Sequence, residues 1–201
     1  VFDVQVHGFE VIAALHDRED NAQLAMNILS NGIRMADHWG GVDAQQVKHL
    51  NGSLSTAPGA CDSSWVFKVA DGLFGVEGNS SAQALKGLPI KCLKNKDYVK
   101  YSDLLAIRFA DSHEYYRESD IDNKRYQKHY FLRAQSGKTA ILFQGKQLAL
   151  AVKNLPDLGF HYNMLFHSSV YFLRPCQKNS SGCVAGSSVL TRLTLKGDRY
   201  I

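Results

Sequence analysis

The stretch from Asn21 to Gly41, NAQLAMNILSNGIRMADHWGG, restricts what this chain can fold into more than any other. Leu24 and Ile28, with Ala25, Leu29, Ile33 and Ala36, recur at three- and four-residue spacing, so on a helix they form one apolar stripe. Gly40 and Gly41 supply the left-handed or extended conformations in which helices end. Upstream, Val4, Val6, Phe9, Ile12 and Ala13 are apolar but interrupted by Gly8, and Asp17, Arg18, Glu19 and Asp20 form a charged girdle. A helix running from Val11 to His38 would be about 40 Å long, more than a small globular domain needs.

After this helix the chain changes character. From Val42 to Lys100, Gly52, Pro58, Gly59, Gly72, Gly75, Gly78, Gly87 and Pro89 break it every few residues. Between them lie short apolar patches such as Trp65-Val66-Phe67 and Leu73-Phe74. From Tyr101 onward, Leu104–Phe109, Tyr130–Arg133, Thr139–Phe143, Leu148–Val152, Val170–Arg174 and Val189–Leu195 read as short antiparallel strands with one buried face. Ser136-Gly137 reads as a hairpin turn, and Asp111–Lys128 as a polar, acidic loop. The expected fold is α+β: a long N-terminal helix packed on antiparallel sheet, with a loop-rich insertion. The expected division is a helix at 1–41 and a β-rich head at 42–201, loop-rich over 42–100 and stranded over 101–201.

Composition adds bounds. A length of 201 residues fits one domain or one domain with an extension, and 45% hydrophobic and 21% charged residues exclude wholesale disorder. The net charge of +4 is too mild to demand a nucleic-acid partner; only Lys86, Lys91, Lys94, Lys96 and Lys100 cluster. Cys61, Cys92, Cys176 and Cys183 show no CxxC pair and no zinc spacing. Of the three pairings open to them, 61–92 with 176–183 would staple the irregular region and close a short polar ring. That reading implies an oxidising compartment. No run of apolar residues is long enough to span a membrane, and the first fifteen residues lack a signal peptide's pattern. The beginning of the chain therefore reads as a processed or cut end.

Ser136-Gly137-Lys138-Thr139 has the tail of a P-loop, but Leu132 stands where its first glycine belongs. No GxSxG elbow surrounds any serine. His38, His113, His161 and His167 are irregularly spaced. Asp111, Glu114, Glu118, Asp120 and Asp122 could offer oxygens to calcium, without the spacing or glycine of an EF-hand loop. Trp39 reads as an anchor for the helix end. Asn51, Asn79 and Asn179 begin glycosylation sequons. No catalytic residue, metal ligand or cofactor is expected, and the chain reads as a non-enzyme.

Three segments together resemble the PilW-like minor pilins of type IV pili. They are the helix segment Asn21–Gly41, the strand Ser102–Asp111 (SDLLAIRFAD), and Val170–Cys176 (VYFLRPC) followed by Leu190–Leu193 (LTRL). These matches cover roughly half the chain. The family's prepilin cleavage site, the glutamate near its mature N-terminus, its apolar half-helix and a later strand are not found here, and Gly32 replaces a polar residue. The resemblance implies a subunit of the pilus tip or priming complex, anchored in the inner membrane by a preceding helix. Its head would lie in the periplasm and later at the extracellular tip. Its implied partners are other minor pilins and a PilY-type adhesin, with no direct nucleic-acid binding. Twitching motility, adhesion and natural transformation would follow from assembly. A J-type pseudopilin of type II secretion is the nearest alternative, and a secreted binding module the next. The stripe Leu24, Ala25, Ile28, Leu29, Ile33 and Ala36 would be the subunit-packing face.

Overall fold

The computed structural model describes residues 21–50, 54, 63–88, 93–156, 161–176, 186–196 and 199–200. The chain divides into two units, residues 1–34 and residues 35–201. In the first, the described residues are helical, within a helix (α1) over residues 21–35. The second is a β unit, and it overturns the expected fold class. Its sheet is mixed and curled into a half-barrel and its described helices are short, so this unit is mostly β-sheet in place of the expected α+β arrangement.

The described strands are β1 (Val47–His49), β2 (Leu73–Val76), β3 (Leu104–Tyr116), β4 (Tyr130–Gln135), β5 (Thr139–Gln144), β6 (His161–Pro175), β7 (Ser188–Lys196) and β8 (Arg199–Tyr200). Their order is β1-β5-β4-β6-β3-β2, with β7 also on β6 and β8 on β7. β6 organises the sheet. One of its edges carries β3, from Leu105 opposite Tyr171 to Tyr116 opposite Asn163, with a register shift between Ala110 and Tyr115. The other edge is divided: residues 161–165 pair with β4, and residues 169–175 pair with β7. A strand this long, shared among three neighbours, forces the sheet to curl as its twist accumulates.

β4 and β5 are buried on both faces, so they read as continuous apolar runs, YFLRAQ and TAILFQ, rather than alternating ones. On one face Leu132, Ala134, Leu142, Met164 and Phe166 pack with Trp39, Val66 and Phe67. On the other, Phe131, Ile141 and Phe143 pack with Ile121, Ala151 and Leu155. A third cluster caps β2, β3 and the end of β6 with Val76, Leu85, Leu88, Leu93 and Tyr98.

Four local expectations are corrected. Leu148–Val152 is not a strand; it lies in a helix, α4 (Leu148–Asn154), because Leu and Ala are strong helix formers and Ala151 faces the core. Its start follows a capping box in which Gln147 accepts from the Gln144 amide at 2.9 Å. The acidic stretch after Asp111 is not a loop throughout: β3 continues to Tyr116, and Glu118–Ile121 forms a helical turn, α3. The region after Val42 contains a strand, β1, which pairs parallel with β5, so the sheet is not purely antiparallel. A short helix, α2 (Ser63–Val66), also lies there, with Val66 fully buried.

Candidate functional site

The residues read as a packing face lie on α1, and their environment is distinctive. From Asn21 to Ile33 the helix carries no charged side chain at all, although polar Asn, Gln and Ser residues occupy one side. At 3.6 residues per turn, the apolar residues spread over about 200° of its circumference. Leu24 and Ile28 form one margin, Met26 and Ile33 the other, and Ala25, Leu29 and Ala36 lie between. The margins are open to solvent: Leu24 is 58% exposed, Met26 66%, Ile28 37% and Ile33 45%. Ala25, Leu29 and Ala36 are half-buried. A solvated helix ordinarily carries charge on its outward side. Covering the four exposed side chains would yield on the order of 1 kcal/mol or more each from apolar surface removed from water.

The end of the helical segment is fixed by chemistry within the β unit. Asp37 takes a left-handed conformation (φ 64°), and its carboxylate accepts from the Trp39 indole N–H at 2.7 Å. The Asp37 amide donates to the Arg108 carbonyl at 3.1 Å, and the Ala110 amide donates to the His38 carbonyl at 2.8 Å, so this segment docks along β3. Trp39 is buried and stacked on Phe166, ring centroids 6.1 Å apart. It is an anchor, with no face available to a ligand. Gly40 and Gly41 are both left-handed (φ 67° and 78°). They do not terminate the helix, which ends at residue 35; they let the backbone lie against the sheet. A Cβ on Gly40 would stand 2.6 Å from Ala134 Cβ, and one on Gly41 would stand 2.5 Å from Ser136 Oγ.

The other residues singled out in the sequence are dispersed. Asp111 and Glu114 lie on β3, and Glu118 and Asp120 on α3. Among the described residues no group of three His, Cys, Asp or Glu side chains could hold a metal ion. Asp111 instead sits between two imidazoles, 3.2 Å from His113 Nδ1 and 3.6 Å from His167 Nε2. Burial holds the His167 pKa below the usual histidine value, against the opposing pull of Asp111 and Glu114. Its ring stacks on Phe109 with centroids 4.9 Å apart. Burial, and then Glu114, which accepts from the phenol at 2.7 Å, push the Tyr116 pKa up. Ser136–Thr139 joins β4 to β5 through Gly137 (φ 72°), so the P-loop-like residues make a hairpin. Cys176 is disulfide-bonded. Cys61, Cys92 and Cys183 lie outside the described residues, as do Lys91, Asn51 and Asn179.

Two arginines, Arg108 and Arg133, are buried without a local sequence signal for it. Arg108 lies over the Trp65 ring at 4.2 Å and donates to the carbonyls of Val66 (3.1 Å) and Asp71 (2.7 Å). Arg133 donates to the Leu155 carbonyl at 2.7 Å and to Asn163 Oδ1 at 3.1 Å, and pairs with Glu118 at 3.0 Å. Glu118 also borders an open groove of about 570 Å3 between α3 and α4, lined further by Asp122, Gln127, Lys146 and Leu148. Arg133 tethers Glu118 at that margin.

Comparison of the chain with protein-family models, with curated proteins and with solved structures finds no match.

Proposed function

We propose that the protein is a minor pilin of the type IV pilus tip or priming complex, which it joins through α1. The observation that carries this reading is the uncharged helix of residues 21–33 with its apolar margins in solvent. A helix of that kind is suited to a bundle of similar helices, where both margins are covered and no charge has to be desolvated. The resemblance of the helix, β3 and β6–β7 segments to PilW-like proteins supplies the family. The β unit then acts as the outward-facing head and meets neighbouring tip subunits, including a PilY-type adhesin. The function resides in binding surfaces, with no catalytic step assigned to any residue. On this reading the protein is held in the inner membrane before assembly and stands at the cell exterior afterwards.

The test is isolation of the full-length protein from its native membrane with bound neighbours. Recovery of minor pilins and adhesin is expected; recovery of type II secretion pseudopilins would replace the reading with the alternative. Leu29→Asp and Ile33→Asp place a charge in the stripe, and each should abolish that recovery while the full-length variant keeps the thermal transition of its β unit. Normal piliation in either variant, at normal protein level, refutes the assignment.

A further inference from the structure

We draw no further inference here: the strongest candidate, the open groove between α3 and α4, carries nothing, because Glu118, Asp122 and Lys146 give its lining both signs of charge and nothing in the structure shows what covers it.

Discussion

Gly40→Ala tests the docking of residues 37–41 on the sheet more sharply than any other change. Two costs arise there. A side chain at φ 67° requires the left-handed conformation, which costs an L-residue about 1–2 kcal/mol. The new methyl would also stand 2.4 Å from Met164 Cε and 2.6 Å from Ala134 Cβ. The methionine terminus can rotate away, but Ala134 sits on β4, a strand buried on both faces, and has nowhere to go. Overpacking of this kind costs about 1–3 kcal/mol, so the total should be about 2–5 kcal/mol, a large part of a typical domain's stability. Gly137→Ala is the internal control. Its φ of 72° is nearly the same, but nothing lies within 4 Å of the added Cβ, so only the conformational cost of about 1–2 kcal/mol applies. The assay is equilibrium urea unfolding followed by the fluorescence of the buried, stacked Trp39, with free energies taken at equal slope. The Ala134→Gly change in the Gly40→Ala background should recover the contact term, as measured by a double-mutant cycle. Equal losses for Gly40→Ala and Gly137→Ala, with no coupling to residue 134, would refute the close-approach argument.

Three further outcomes are expected. Glu118→Gln leaves the buried Arg133 guanidinium without its ion-pair partner and should cost about 1–3 kcal/mol, less than a fully buried pair because Glu118 is 44% exposed; Arg133→Met in the same background should recover part of it, as read by urea midpoints. Burial holds the folded His167 pKa below the ordinary histidine value of 6.5, so the unfolded chain binds the proton more readily; stability is fully present above pH 6.5 and lost as pH falls through the folded pKa. His49 and His129 are lowered by burial with the same sign, so His167→Gln should flatten the stability–pH curve between pH 7 and 5 without levelling it, by thermal melts across that range.

How much the sequence revealed depended on which physical signal each element carried. Leu104–Phe109, Tyr130–Arg133, Thr139–Phe143, Val170–Arg174 and Val189–Leu195 all fall within β3 to β7, because β-branched and aromatic runs bounded by turn residues are a local signal. Leu148–Val152 reads as a strand and folds as a helix because Leu-Ala-Leu-Ala-Val alternates in bulk, which mimics a strand, while every residue but the last favours helix. The outer half of β3 was invisible because its polar residues follow a register shift, and its pairing with Met164 and Asn163 comes from residues almost fifty positions away. The parallel pairing of β1 has the same cause. Arg108 and Arg133 sit in sequences that suggest outward-pointing positions, yet carbonyls of Val66, Asp71 and Leu155 draw them inward, and those carbonyls are brought close only by the fold. The stripe on α1 was legible as a stripe. Its exposure was not, because periodicity shows which residues share a face and leaves open what covers it.

The position of β6 sets an order on the making of this protein. β3 and β4 are not neighbours; β6 lies between them and supplies partners to both. A chain emerging from its N-terminus can form the β2–β3 pair and the β4–β5 hairpin early, but both then present a bare, apolar strand edge until residues 161–175 arrive. Joining them demands contacts as distant as Leu105 with Tyr171, the kind that form slowly because long loops must close first. The interval before β6 docks is therefore when the nascent chain is most prone to pair with other molecules, and any holding chaperone it uses should release it only once residue 175 is available.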